Sequence, residues 1–174
     1  MKRVKNISIK NTLLLIIWIL HAWGGFAQKN VSDEKANLLQ LRKELLVMHN
    51  EIRGKNGAGP LVMNEKLHAA AQRHAEDMSR KNYFSHTGKD GSTHVSRASK
   101  AGYNYASAIG ENIAQGQTTV KEVIDSWVNS PGHFGNIIEK EYKDVGFGYC
   151  EGYWVTVFSA GEKQAKAPVK TKRK

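Results

Sequence analysis

The chain has few residues that can cross-link a fold or interrupt its helices and strands: it has one cysteine, Cys150, and three prolines. A single cysteine excludes an internal disulfide, so the fold must be stabilised by its core, and Cys150 is expected to be a packed strand residue rather than a reactive thiol. Common catalytic signatures are missing as well. The sequence has no Gly-x-Ser-x-Gly elbow, no His-Glu-x-x-His pair, no Cys/His nucleophile signature and no glycine-rich phosphate loop. The commonest hydrolase and nucleotide-binding classes are therefore excluded.

Net charge is concentrated at the two ends of the chain. The formal net charge is +10, but four positive charges lie in residues 1–27, and six, against one negative charge, lie in residues 162–174. Residues 28–161 therefore have a net charge of only +1, which argues against a nucleic-acid-binding face. Residues 162–174 are predicted to be a basic disordered tail. Such a tail is either simply solvated or contacts anionic cell-envelope polymers.

Residues 1–27 have the pattern of a secretory signal peptide. Basic residues precede a short aliphatic run at Leu13–Leu20, and Gly25-Phe26-Ala27 offers small residues for cleavage before Gln28. Because a transmembrane helix needs roughly 20 apolar residues, a retained signal-anchor is the less favoured alternative. The sequence predicts a secreted or periplasmic protein, a domain over residues 28–161, and no transmembrane span after cleavage.

The first two thirds of the domain has mainly helical patterns. Predicted helices run from Ser32 to about Arg53, from Asn64 to about Lys81, from Ser92 or Thr93 to about Lys100, and from Thr119 to just before Pro131. Tyr103 to Gln117 is predicted to be a loop with a short strand near Glu111–Ile113.

The last third has the alternation of a β-hairpin. Val145–Cys150 and Tyr153–Ser159 are predicted strands, joined by a two-residue turn at Glu151-Gly152. Glycines on one face of the first strand predict that another element packs very close to it. Helices combined with a mostly antiparallel sheet indicate an α+β layered domain.

Five short segments carry a family resemblance. They are His49-Asn50-Glu51-Ile52-Arg53, Tyr83-Phe84-Ser85-His86-Thr87, Gly110-Glu111-Asn112-Ile113-Ala114, Trp127-Val128-Asn129-Ser130-Pro131-Gly132-His133 and Val145-Gly146-Phe147-Gly148-Tyr149. In order and spacing they resemble the CAP superfamily (SCP-like domains of cysteine-rich secretory, antigen 5 and pathogenesis-related proteins), most closely its bacterial secreted subgroup. The resemblance implies a three-layer α-β-α sandwich with a central, mostly antiparallel sheet.

The resemblance also implies a large cleft lined by two histidines and two acidic residues. His86 and His133 match the histidines, and Glu111 matches the glutamate of the Gly-Glu-Asn motif. Ser130 stands at about the position of the second acid, and the nearest upstream acid is Asp125. A mechanism that needs the second carboxylate is therefore in doubt for this chain.

Two neutral imidazoles can coordinate a divalent ion such as zinc, with Glu111 orienting a histidine or a bound water. His86 and His133 are the candidate metal ligands, and His94 is a candidate third ligand, although a helix-terminal surface role fits it better. The alternative interpretation is structural: Glu111 simply holds loops together at the floor of the cleft. The other histidines are assigned to the fold, with His49 and His74 buried and His68 facing solvent.

Three functional hypotheses follow from these features. The first is a secreted binding module whose cleft holds a small molecule, a lipid-like ligand or a divalent metal, since family members bind sterols, fatty acids or metals. The second is a metal-assisted hydrolase of peptide or cell-envelope substrates. The third is an interaction protein whose basic tail binds it to the cell envelope. Because family members bind different ligands, the resemblance implies a ligand-binding scaffold more than a particular reaction, since a shared fold does not determine function. A binding role is therefore favoured over catalysis.

Overall fold

A computed structural model describes residues 9–163 of the chain, with side chains from Ser32 onward. The chain divides into two units after Gln40, and everything discussed below as core or site lies in the second unit. The predicted signal peptide lies outside the residues with described side chains, and residues 164–174 of the predicted tail lie outside the described chain. In the part of the chain that the structure describes, no helix is long and apolar enough to cross a membrane.

Five helices and four strands make up the described chain. In order they are α1 (Ile9–Lys55), β1 (Val62–Met63), α2 (Glu65–Lys81), α3 (His94–Lys100), β2 (Ile109–Gln115), α4 (Val120–Val128), α5 (Pro131–Ile138), β3 (Asp144–Cys150) and β4 (Tyr153–Ser159).

Three of the predicted helices begin where their capping residues predict. Asn64 accepts hydrogen bonds from the first amides of α2, and Thr93 and Thr119 each form a reciprocal capping box at the start of α3 and α4. The predicted start of the first helix at Ser32 is wrong, because α1 already begins at Ile9. Proline is absent from residues 1–59, so none interrupts this helix, which ends at Lys55, just before Gly57 with its left-handed backbone.

A fifth helix was missing from the sequence prediction. Pro131 ends α4 as expected but also occupies the first turn of α5, with Ser130 as the capping residue. Proline fits this position because the first-turn N–H has no partner within a helix anyway. The same residue that stops one helix therefore starts the next, and α5 carries His133 within its first turn.

The strands form one sheet in the order β1-β3-β4-β2. The short β1 runs parallel to β3, and the other two pairings are antiparallel. Both residues of the Glu151-Gly152 turn have positive φ, as a tight hairpin turn requires. β2 is a full seven-residue strand rather than the short one predicted, and Glu111 lies near its middle, opposite Val157.

Helices cover both faces of this sheet, which confirms the predicted α-β-α sandwich. On one face α2 packs so closely on β3 that a Cβ at Gly146 or Gly148 would collide with the α2 backbone at Leu67 or Ala71. The predicted close approach at these glycines is confirmed, and α2 is the element that makes it. The opposite face packs a larger aromatic core, which includes Trp127, Phe147, Trp154 and Phe158.

Buried polar residues connect the helices to the sheet. Arg53 is fully buried and donates to the carbonyl groups of Gly59, Ile137, Glu139 and Tyr142. His49 and His74 are buried, as predicted. The prediction that His68 faces solvent is wrong: its ring is 2% exposed, and its Nδ1 accepts a hydrogen bond from the Phe147 N–H at 2.8 Å. The His68 ring thus acts as the acceptor for the Phe147 N–H, in place of a backbone carbonyl of a neighbouring strand. The spacing of apolar residues along α2 does not reveal such a contact.

Candidate functional site

Three separate elements supply the candidate site. His86 follows α2, Glu111 lies in β2, and His133 lies in α5. α2 ends at Asn82, whose left-handed backbone (φ 46°) turns the chain away from the helix axis toward His86. At the other end, Asn112 of β2 donates to the carbonyl of His133 at 3.0 Å and accepts from Asn136 at 2.8 Å. The amide side chains therefore fix α5 against the strand that carries Glu111.

Glu111 is the buried centre of the site. Its side chain is 1% exposed; Oε2 accepts from Arg97 Nη2 at 2.8 Å, and Oε1 lies 2.9 Å from His86 Nδ1. Burial alone raises the pKa of a carboxyl group, but the hydrogen bond with His86 and the charge of Arg97 outweigh burial and hold the pKa of Glu111 below its usual value. Glu111 is therefore a fixed carboxylate and not a reservoir of protons at neutral pH.

His86 has one ring nitrogen committed and one available. Because Glu111 is ionised and can only accept, His86 Nδ1 carries the hydrogen of their shared bond. In the neutral ring Nε2 is then an acceptor with a free lone pair. The side chain is 53% exposed. The chain Arg97–Glu111–His86 thus fixes both the tautomer and the orientation of an accessible imidazole, as a carboxylate does for a metal-bound histidine.

His133 faces the same space in a more enclosed setting. Burial, followed by the proximity of His86, lowers the pKa of His133 below the usual histidine value, so this ring is neutral at physiological pH. Its Nδ1 is buried and has no hydrogen-bond partner among the described residues. Buried polar atoms are normally paired. His133 therefore keeps one unsatisfied, buried nitrogen on a ring that lines the cleft.

The two histidines line one open pocket of about 410 Å³, together with Phe84, Ser85 and Ile113. Phe84 is a large apolar side chain that is 47% exposed. The pocket thus combines two polar nitrogens with an apolar wall, which is the usual composition of a small-molecule site, and its volume lies within the range of roughly 300–1,000 Å³ for such sites.

The auxiliary residues named from the sequence do not line this pocket. His94 begins α3 and lies beside the backbone of Ile109 and near the charges of Glu111 and Arg97. Ser130 caps α5 without a side-chain hydrogen bond to its backbone. Asp125 is exposed on α4 and pairs with Lys121 at 2.6 Å. Asp125 is therefore engaged elsewhere and supplies no second carboxylate to the cleft.

The donor set agrees with a divalent metal only in part. Within residues 32–163, no group of three or more His, Cys, Asp or Glu side chains is arranged to hold a metal ion. His86 and His133 are the two imidazoles of the pocket, and two imidazoles form a weak metal site that water or a ligand would complete. A bound ion would supply Lewis acidity there, with Glu111 acting from behind His86.

Sequence reasoning missed the residue that organises the site. Arg97 holds Glu111 and also donates to the His86 carbonyl at 3.0 Å and to the Ser92 carbonyl at 2.9 Å. It belongs to no short motif. The one available signal was its place on the short α3 helix, three residues after His94, since an arginine in an otherwise small-residue helix often has a buried partner. Asn136, which supports Asn112, was missed together with α5.

Comparisons with known proteins identify the family of the chain. The family model described as the cysteine-rich secretory protein family (CAP) matches residues 46–158. The uncharacterized protein YkwD of Bacillus subtilis is 38% identical over 109 residues, which are 63% of this chain and 42% of that protein. This chain therefore spans less than half the length of that relative.

Two solved bacterial structures share the fold. An extracellular protein containing an SCP domain from Bacillus anthracis aligns with a TM-score of 0.65 and 25% identity, covering 67% of this chain and 39% of that one. An outer surface protein from Borrelia burgdorferi aligns with a TM-score of 0.63 and 23% identity, covering 71% of this chain and 94% of that one. Both of these proteins are extracellular or surface proteins by description.

Proposed function

The chain belongs to the cysteine-rich secretory protein (CAP) family, and from that premise we propose that it is a secreted binding module. Its cleft takes a small ligand through His86 and His133, and a divalent metal ion is the simplest such ligand. The observation that carries the proposal is the orientation of His86, whose Nδ1 is held by a buried carboxylate that Arg97 holds in turn. A merely structural histidine needs no such arrangement on a half-exposed ring.

The pocket walls indicate the chemistry of the ligand. Phe84 and Ile113 offer apolar contact, while the two imidazoles offer acceptor or metal-ligating nitrogens. A matching ligand is a divalent ion, or a small and partly apolar molecule with a hydrogen-bond donor, such as a lipid-like molecule with a polar end. Charge recognition is a minor contribution, because Glu111 is already paired with Arg97 and the His133 ring is neutral.

The placement of Asp125 favours binding over hydrolysis. A metal-assisted hydrolase of peptide or envelope substrates uses a general base beside the activated water. The one carboxylate at the cleft, Glu111, accepts from two cationic or potentially cationic groups and is held ionised, and Asp125 pairs with Lys121 away from the pocket. A metal-assisted hydrolase remains the alternative function. It would require the substrate or a water molecule to act as the general base.

The secreted location rests on two supports. The solved relatives are described as extracellular or outer-surface proteins. Residues 1–27 have the sequence pattern of a signal peptide, with cleavage before Gln28. N-terminal sequencing of the protein recovered from an expressing culture tests this part: a mature start at Gln28 agrees with the proposal, and an intact Met1 in a cell-bound protein contradicts it.

Calorimetric titration with zinc tests the site itself. The metal-stripped full chain is expected to bind one equivalent, and the His86→Ala/His133→Ala variant at least tenfold more weakly. Asp125→Asn is the matched control, because it removes a polar side chain outside the pocket, and it should bind as the unaltered chain does. A fluorescent fatty-acid analogue offered to the same three proteins tests the small-molecule form. If neither probe distinguishes the double variant from the control, the cleft is not a binding site.

A further inference from the structure

A second pocket, of about 520 Å³, lies between α2, α3 and the turn before α3. Its walls are rich in cationic side chains, and we call it the cationic pocket. Its charged residues are Arg73, Arg80, Arg97, Lys100, Asp77 and Asp90. None of its lining residues was a candidate from the sequence, and none of them lines the cleft of His86 and His133.

The positive charge of this pocket is only partly compensated. Asp77 is already paired with Lys81 at 2.6 Å and accepts from the Tyr83 hydroxyl at 2.6 Å. Arg97 is paired with Glu111. Among residues 32–163, no ion pair involves Arg73, Arg80 or Lys100, while Asp90 accepts from the Ser92 backbone amide. Three unpaired cations thus face one carboxylate, an arrangement that attracts an anion.

Arg97 adds a buried donor without a partner. Its side chain is only 9% exposed, and its Nε is buried and makes no hydrogen bond to any described residue. Both terminal nitrogens of the same guanidinium are bonded, to Glu111, Ser92 and His86. An unpaired buried N–H in a guanidinium is costly, and an acceptor oxygen that reached Nε from the pocket would remove that cost.

We propose that the cationic pocket binds the phosphate group of a phosphate ester. A phosphate offers several acceptor oxygens and up to two negative charges, which suits several separate cations and the Arg97 Nε better than a single carboxylate does. Ser92 and Ser96 also line the pocket and supply hydroxyl donors. The volume exceeds that of a phosphate group alone, so the ester part of the ligand has room beside it.

Arg97 makes this site adjacent to the first one. One edge of its guanidinium holds Glu111 and thereby His86, and the Arg97 side chain also lines the cationic pocket. A phosphate bound by Arg97 there therefore contacts the same side chain that orients the cleft histidine. This arrangement supplies a direct spectroscopic reporter, because the Nε–H resonance of Arg97 senses the ligand without any assay of the cleft.

The test is an NMR titration of the full chain with glycerol phosphate, following the Arg97 Nε–H signal. A saturable shift is expected, and the Arg73→Gln/Arg80→Gln variant should weaken binding at least tenfold. Both arginines are exposed, so this variant should fold. The matched control is Lys121→Gln/Lys140→Gln, which removes two positive charges outside the pocket and should change the affinity less than twofold.

A second arm separates a lipid headgroup from a soluble ester. If the protein sediments with phosphatidylglycerol vesicles, and if the arginine variant but not the lysine control sediments less, the ligand is a lipid headgroup. Saturable binding of glycerol phosphate without vesicle binding assigns a soluble source. No saturable shift and no vesicle binding, or equal losses in both variants, overturns the proposal. The His86→Ala/His133→Ala variant should retain phosphate binding, so failure of the cleft proposal would leave this result intact.

Discussion

Two groups of histidines in this molecule have the same side chain and different surroundings. His49, His68 and His74 are at most 2% exposed and lie within the packed layers. Their ring nitrogens bond to backbone groups, at Leu45, Phe147 and Ser85 respectively. His86 and His133 line an open pocket instead, and the partner of His86 is a carboxylate.

The difference shows what a hydrogen-bond partner reveals about a histidine. A backbone partner stabilises the ring as part of the fold and fixes one nitrogen without changing its basicity greatly. An ionised carboxylate fixes the tautomer and leaves Nε2 available. Burial lowers the pKa of both His49 and His68 to about 4, and it lowers the pKa of His133 as well. The two groups should therefore respond differently to substitution and to acid.

Glu111→Gln is the substitution with the largest expected effect, because it removes the carboxylate that distinguishes the cleft group. It leaves the buried guanidinium of Arg97 without its ion-pair partner. Breaking a buried pair from one side typically costs about 3–5 kcal/mol of unfolding free energy, and urea unfolding at pH 7.5 measures it. Asp125→Asn breaks an exposed pair instead and should cost less than about 0.5 kcal/mol. Equal costs for the two variants would contradict the buried role of Glu111.

Acid should destabilise the protein through its buried histidines, His49 in particular. The pKa of His49 is about 4 when folded, because burial disfavours the charged ring, against about 6.5 when unfolded. The unfolded chain thus binds the proton first, and stability falls as pH drops from about 6.5 toward 4. Between pH 7.5 and pH 5 the loss from His49 is about 2 kcal/mol.

Comparison with His49→Leu isolates this contribution. Urea unfolding at both pH values should show a smaller loss in the variant, by about 2 kcal/mol, because leucine does not titrate. The ring of His49 lies among Trp127, Phe147 and Phe158, so an apolar replacement suits its surroundings. The same loss in both proteins would show that another group causes the acid sensitivity.

The smallest effect on stability is expected for the cleft histidines themselves. His86→Ala removes one hydrogen bond from a carboxylate that Arg97 still holds, and the ring it removes is half-exposed. His133→Ala removes a ring whose Nδ1 has no partner among the described residues. Each should change the unfolding free energy by less than about 1 kcal/mol, measured by urea unfolding. A cost above about 2 kcal/mol for both would place them with the buried, structural group.

Much of the fold was predictable because it depends on local signals. Thr119 and Glu122, three residues apart, cap α4 by contacts within one helical turn, and Glu151-Gly152 closes the hairpin by its own backbone preference. The start of α1, the existence of α5 and the burial of His68 were wrong or missing. The burial of His68 depends on its contact with Phe147, 79 residues away, and α5 begins at Pro131, which also ends α4.

The site was predictable in part for the same reason. His86, Glu111 and His133 stand within recognisable segments, and the structure brings His86 and Glu111 into contact and places both histidines around one pocket. Arg97 could not be assigned, because its partners are 11 and 14 residues away and become neighbours only when α3 packs beside β2. The cationic pocket likewise combines residues of α2 and α3 that share no motif.

The close contact of α2 with β3 also constrains the order in which the domain can assemble. His68 and Phe147, which link the two elements, are 79 residues apart, and every residue of the cleft lies between them. Such non-local contacts form slowly, because a long loop must close before they stabilise anything. β2, which carries Glu111, pairs with β4, near the end of the domain. On a translating ribosome, all the cleft residues are therefore synthesised before β3 and β4, the strands against which α2 and β2 pack or pair.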